Sequence, residues 1–145
     1  MSTSQESELS SQRLRGASAF QLLHWLAAGR ISAVQLQSLY ADAIGAEDAA
    51  LAAFVCSDDT APAAARASDE RRKAKNTIGR LDGLAVAIKD NIDVAGLPTA
   101  LGLAGRRQRI AAEDASVIAR LRAAGAVILG KTAVDEAALG TTGTT

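Results

Sequence analysis

Hydrophobic positions recur at helical spacing through the N-terminal third of the chain, and they predict two helices there. In the first of these, Phe20 and Leu23 share one helical face, with either Leu26 or Ala27 as its next member. Ser18 is suited to cap the start of that helix, and Gly29 is suited to end it. The pattern therefore predicts a helix between Ser18 and Gly29.

The second helix has a stronger start signal. Ser32 and Gln35 have the spacing of a capping box. Four apolar positions then fall on one face before Gly45, which is expected to end the helix: Leu36, Leu39, Tyr40 and Ala43. Because the turn between the two helices is short, we expect them to pack antiparallel as a hairpin.

Short apolar runs replace the helical spacing further along the chain and predict strands at 51–57, 84–88 and 126–130. Pro62 opens an alanine-rich helix between the first two runs, and Asp114 can cap a helix between the last two. A strand, a helical connection and a second strand are typical of a parallel crossover. We predict an α/β fold, with a helical hairpin followed by part of a mixed sheet with crossover helices.

Composition bears on the packing of the core, on the partners and on the redox compartment. The 145 residues contain 48% hydrophobic but only 3% aromatic side chains, so small residues must pack helices closely on the sheet. Lys plus Arg equals Asp plus Glu, at 16 each, which gives no support for nucleic acid as a partner. Cys56 is the one cysteine, so there is no internal disulfide and a reducing compartment is expected.

The chain shows no targeting segment. Residues 1–16 are polar, lack the apolar region of a secretory signal, and are predicted to be a disordered leader before a domain at 17–145. No run approaches the ~20 apolar residues that a membrane span needs. We expect a cytoplasmic protein that binds no membrane.

Lys89 ends the second predicted strand, where a charged residue needs an explanation. Side chains alternate along a strand, so Lys89 lies on the face opposite Ile88, just beyond the carboxyl end where open α/β sheets place ligand sites. The lysine could be desolvated and neutral, and so act as a base. Alternatively, its stem is buried while its ammonium reaches water, or it pairs with Asp90 or Asp93.

Two blocks of sequence, one of which contains Lys89, help to choose between these roles of the lysine. "LDGLAVAIKDNIDVAGLPT" (81–99) and "EDASVIARLRAAGAVILGKTAVDEAALG" (113–140) closely resemble, in this order and separation, the amidase signature family. Members of that family hydrolyse or transfer carboxamides. The resemblance is specific over 81–140, and it implies that Lys89 occupies the position of the family's catalytic lysine.

The resemblance also implies a mechanism. A neutral lysine draws a proton, through a bridging serine beside a cis peptide bond, from a nucleophilic serine that attacks the amide carbonyl. Backbone N–H groups of a glycine- and serine-rich loop stabilise the oxyanion. We expect a small-molecule amide substrate, no cofactor and no metal.

Further residues of the two blocks are expected to support the site. Asp90 could orient Lys89 or the substrate, or cap the end of the strand. The remaining candidates for second-layer contacts or for the substrate loop are Lys131, Thr132, Glu136, Thr141 and Thr142.

The chain departs from the family in two respects. No Gly-Gly-Ser-Ser-Gly-Gly-type segment occurs in it, so both serines are missing and we expect an N-terminal portion that is inactive alone and incomplete relative to the family fold. Many family members, including the A subunits of glutamyl-tRNA amidotransferases, have asparagine after "GKT", where this chain has Ala133. This difference favours amide hydrolysis over transamidation. A protein similar to the A subunit of glutamyl-tRNA amidotransferase is the alternative within the enzyme class. A non-catalytic remnant or binding module, which self-associates through an exposed sheet edge, is the alternative outside it.

Overall fold

The structure is a computed structural model that describes residues 9–140. The α-helices of this part of the chain are α1 (Ser11–Arg15), α2 (Ala19–Ala27), α3 (Ala33–Leu51), α4 (Ala61–Lys73) and α5 (Ser116–Ala123). Its strands are β1 (Phe54–Ser57), β2 (Ala85–Lys89) and β3 (Val127–Thr132). No described helix is both long enough and apolar enough to span a membrane.

The three strands form one mixed sheet in the order β1-β3-β2. β3 runs antiparallel to β1 and parallel to β2. Because α5 connects the parallel pair, the predicted crossover unit is confirmed. β3 is the central strand and its first five residues are buried, as expected of a strand with neighbours on both sides.

Capping boxes begin both helices of the predicted hairpin. Ser18 and Gln21 exchange hydrogen bonds at the start of α2, and Ser32 and Gln35 do so at the start of α3. Each box satisfies backbone N–H groups that have no partner within the helix. The predicted start of each helix is confirmed.

The expected end of α3 at Gly45 is wrong. The helix runs on to Leu51, and Ala52 closes it in the left-handed conformation at φ 49°. Gly45 is exposed and has open space where a side chain would be. A single glycine costs a helix only about 1 kcal/mol, so the flanking turns carry α3 through it.

The core face of α2 agrees with the prediction at Leu26 and differs from it at Phe20. Phe20 is 81% exposed, whereas Leu22, Trp25 and Leu26 are buried against α3 and the start of β2. A second, smaller apolar cluster lies on the opposite side of the sheet, where α5 packs: Ile88, Val94, Ile118 and Ile128. The sheet therefore has helices on both of its faces.

Two predictions at segment boundaries need correction. The leader is ordered from Leu9, since Ser10 caps α1 and Leu14 is buried in the core; residues 1–8 lie outside the described residues. Asp114 does not cap α5. Its carboxylate accepts hydrogen bonds from the Ala95 backbone N–H and from Arg122, because the connection before α5 folds back onto it.

Candidate active site

Lys89 is the last residue of β2 and stands beside Thr132 of the central strand. Strand alternation separates it from its neighbours, since Ile88 and Asp90 are buried while the Lys89 side chain is exposed. The backbone at Lys89 is paired with the central strand, through Thr132. Among the described residues, the exposed Lys89 side chain agrees with the alternative in which the ammonium reaches water, and not with a buried amine.

The lysine that is buried is Lys131. It is 0% exposed, and its Nζ lies 3.2 Å from Asp90 Oδ1, 2.9 Å from the Pro98 carbonyl oxygen and 3.0 Å from Thr99 Oγ1. Three acceptors match the three donors of an ammonium group. Lys131 therefore has no lone pair to offer and is unsuited to act as a base.

Asp90 is engaged through every polar group it has. Its N–H donates to the Thr132 carbonyl at 2.9 Å, and its own carbonyl accepts from the Leu101 N–H at 3.2 Å. The carboxylate accepts from the Ala100 N–H at 3.2 and 3.3 Å, in addition to the ammonium just described. These contacts agree with the strand-end cap rather than with an ion pair to Lys89.

The loop after β2 is held along its length. Pro98 forms an isolated bridge with Ile110, and the Thr99 N–H donates to the Arg109 carbonyl. Arg109 also binds the Asp93 carboxylate at 2.7 and 3.0 Å. Hydrogen bonds from Arg109, and then from the Thr99 hydroxyl, lower the pKa of Asp93 to about 2. Asp93 is therefore the partner of an arginine.

Not all of the other residues that were predicted to support the site lie close to Lys89. Thr132 lies beside Lys89, and its hydroxyl is 3.5 Å from the Ile88 carbonyl oxygen. Glu136 is exposed in a short 3-10 turn at Glu136–Ala138. Thr141 and Thr142 lie outside the described residues. The structure thus joins Asp90, Lys131 and Thr132 to the end of β2.

Two site features were missed in the sequence. The Thr99 hydroxyl accepts a hydrogen bond from the buried Lys131 ammonium and forms another with Asp93. The "LPT" run was the signal in the sequence that could have identified Thr99. Leu101 and Gly102 both have positive φ, at 57° and 70°. A side chain at Gly102 would meet the Val134 carbonyl oxygen at 2.6 Å, which explains the glycine.

A cavity of about 310 Å³ opens beside Asp90 at this end of the sheet. Its lining combines apolar residues with one aspartate and one arginine: Val55, Asp90, Pro98, Ala100, Gly102, Arg107 and Val134. Such a cavity suits a small molecule. Within residues 9–140, no group of three or more His, Cys, Asp and Glu side chains is arranged to hold a metal ion.

Cys56 offers no alternative nucleophile. It is half-buried on β1, and burial raises the pKa of its thiol. The thiolate is the reactive form of cysteine, so a raised pKa disfavours it.

Known proteins resemble this chain in sequence. Residues 35–145 match the sequence model of the Amidase family. The A subunit of glutamyl-tRNA(Gln) amidotransferase from Chloroflexus aurantiacus is 47% identical over 119 residues, which cover 79% of this chain and 24% of that protein. The protein of the same name from Salinispora arenicola is 42% identical over 131 residues, covering 88% of this chain and 26% of the relative.

Solved amidase structures superpose on the same region. The peptide amidase of Stenotrophomonas maltophilia matches with a TM-score of 0.77 at 33% identity, over 83% of this chain and 25% of that enzyme. The chain spans about a quarter of the length of the curated relatives it matches. The resemblance read from residues 81–140 is confirmed, and so is the α/β fold. The chain belongs to the amidase signature family.

Proposed function

We propose that Lys89 is the general base of a carboxamide-cleaving site to which this chain contributes. The observation that supports the proposal is the contrast between the two lysines at the end of the sheet. Lys89 presents an exposed side chain at the end of a paired strand, whereas the Lys131 ammonium has an acceptor for each of its three donors. A base must lie within reach of the hydroxyl from which it takes a proton, and of these two lysines only Lys89 is accessible to a segment that packs against the sheet.

The proposed chemistry has two halves. The neutral Lys89 amine takes the proton of a serine hydroxyl through a bridging serine, and the serine oxygen forms a bond to the amide carbonyl carbon. The proton then passes to the leaving nitrogen as the C–N bond breaks, and water hydrolyses the acyl-serine in the same manner. Both serines are assigned by family resemblance to a segment that these 145 residues do not include. We therefore propose that this chain supplies the base and no nucleophile.

Chimeras with longer relatives test the base. The chain would replace the matching quarter of the Stenotrophomonas maltophilia peptide amidase, and amide hydrolysis would be followed as released ammonia. We expect Lys89→Ala to lower kcat by at least about 10²-fold, the size expected for loss of a general base. Lys75→Ala, which changes an exposed lysine beyond α4, should leave kcat within twofold. An active Lys89→Ala chimera, or amide hydrolysis by the 145-residue chain alone, would refute the proposal.

An amidotransferase role is the second candidate, because the curated relatives quoted above carry that name at 42–47% identity. Ala133 argues against it. The same replacement in the Chloroflexus aurantiacus amidotransferase would separate the two candidates. If the chain supports glutamine-dependent ammonia release there and not amide hydrolysis in the peptide amidase, the amidotransferase candidate is favoured. If neither chimera is active although both fold, the non-catalytic alternative is favoured.

Partners other than an amide substrate stay predictions. Balanced charge supports the expectation that nucleic acid is not bound directly. Self-association through the sheet edge, a cytoplasmic location and the absence of a cofactor are likewise expectations from the sequence.

A further inference from the structure

The central strand carries a fully buried lysine, Lys131. Lys131 is among the largest of the described side chains that are fully buried. A buried ammonium is strongly destabilising unless it is both paired and hydrogen-bonded. Its three acceptors come from chain positions 32 to 41 residues away, all of them in the residue after Lys89 or in the loop that follows.

The pair formed by Lys131 and Asp90 has two consequences for Lys89. It ties the backbone directly after Lys89 to the central strand and to the loop. Alternation places Asp90 on the face of the sheet opposite Lys89, and the pair with Lys131 neutralises the Asp90 carboxylate there.

We infer that Lys131 is a positioning residue for Lys89. By binding the Asp90 carboxylate, Lys131 prevents that carboxylate from forming an ion pair with the Lys89 amine. The physical reason lies in the chemistry of a base. A carboxylate within about 4–6 Å favours the charged form of a lysine, which has no lone pair. Asp90 is the carboxylate next to Lys89 in the chain. Alternation directs its side chain away from Lys89, and Lys131, together with the Ala100 N–H, holds the carboxylate there. The catalytic meaning of this arrangement rests on the proposed function.

Amine labelling of the full chain tests the arrangement without any need for amidase activity. Trace acetylation with acetic anhydride, followed by peptide mass spectrometry, gives a rate for each lysine in one sample. Lys75, which is exposed, is the internal reference. We expect Lys89 to react within a few-fold of Lys75, and Lys131 to react at least about 100-fold more slowly because it needs a local opening. Comparable rates for Lys131 and Lys75 in the folded chain would overturn the inference.

Two variants test the effect on Lys89. Lys131→Met removes the charge and keeps a similar length, so the freed Asp90 carboxylate should slow Lys89 labelling relative to Lys75 by about two- to fivefold, the effect of an exposed ion pair. The double variant Lys131→Met/Asp90→Asn should restore the rate. A merely structural lysine would lower stability in Lys131→Met and leave Lys89 labelling unchanged, and that result would contradict the inference.

Asp90→Asn keeps the inference testable even if Lys131→Met does not fold. It removes the carboxylate and retains Lys131. Because the carboxylate is already held away from Lys89 in the native chain, we expect Lys89 labelling to stay within twofold. A tenfold increase would mean that Asp90 pairs with Lys89 in the native chain, and the inference would fall. The chimera kinetics test the base and the labelling tests its surroundings, so failure of one is distinguishable from failure of the other.

Discussion

Two glycines show how differently the same residue type can act at the residue scale. Gly130 lies in the central strand with φ 152°, and a side chain there would collide with the Cys56 carbonyl oxygen and come within 2.8 Å of Ser57 Cα. β1 can therefore approach β3 closely only because residue 130 has no side chain. Gly45 has open space around it in the middle of α3. One glycine is required by packing, and the other only weakens a helix.

Substitution by alanine should separate these two glycines. Gly130→Ala is expected to lower the free energy of unfolding by about 3 kcal/mol or more, because the backbone must shift and the positive φ is strained. Gly45→Ala should raise it by about 0.5–1 kcal/mol through helix propensity. Urea unfolding followed by the fluorescence of Trp25, which is buried, measures both. Shifts of the same sign for the two variants would contradict this account.

At the scale of the element, α3 is anchored at its start by a carboxylate from another helix. Asp69 of α4 accepts hydrogen bonds from the Ala33 N–H at 2.7 Å and the Val34 N–H at 3.1 Å. Backbone N–H groups in the first turn have no partner within the helix, and the helix dipole favours a negative charge there. The contact therefore both caps α3 and fixes its position against α4.

Removal of this anchor should destabilise the whole chain. Asp69→Ala is expected to lower the free energy of unfolding by about 1–2 kcal/mol, the usual cost of a lost helix cap. Glu70→Ala is the matched control, because Glu70 is exposed and pairs only with Lys73 among the contacts described for its side chain. Its loss should cost less than about 0.5 kcal/mol. Equal effects in urea unfolding of the two variants would show that Asp69 does not anchor α3.

At the scale of the whole molecule, the described sheet has open strands on both sides. β1 and β2 are its outer strands, and Ala87 is exposed on β2. The Leu84 carbonyl and the Asp90 N–H form hydrogen bonds with β3. Backbone groups of successive residues in a strand point to opposite sides, so Ala87, three residues after Leu84 and three before Asp90, directs its N–H and C=O away from β3. Unpaired N–H and C=O groups along an outer strand are a template for pairing with another chain.

Self-association through β2 is therefore expected at high protein concentration. Sedimentation velocity over a range of concentrations should show a species larger than the monomer. Ala87→Lys should reduce it, because a charge on an outer strand opposes edge pairing. Ala67→Lys, at an exposed position of α4, should have no effect. A monomer at every concentration would rule out this edge as an interface.

Local signals accounted for what could be predicted correctly. Both capping boxes join residues three apart, so the first turns of α2 and α3 follow from the residues themselves. The errors occurred where distant residues decide. Helical periodicity in α2 left more than one candidate face, and packing against α3 selected the one with Trp25 rather than Phe20. The free space around Gly45 likewise depends on what the rest of the chain leaves uncovered.

The sequence by itself determined the family, the crossover unit and the position of Lys89 at a strand end, because these depend on residue order, periodicity and short motifs. Only the tertiary structure decided which lysine is buried. Lys131 and Asp90 are 41 residues apart, and no local rule relates their side chains. They meet because parallel pairing of β2 with β3 places Lys131 beside Ile88, two residues before Asp90. The interior cannot hold a charge without a partner, so the register of the sheet assigned Asp90 to Lys131 and left Lys89 exposed.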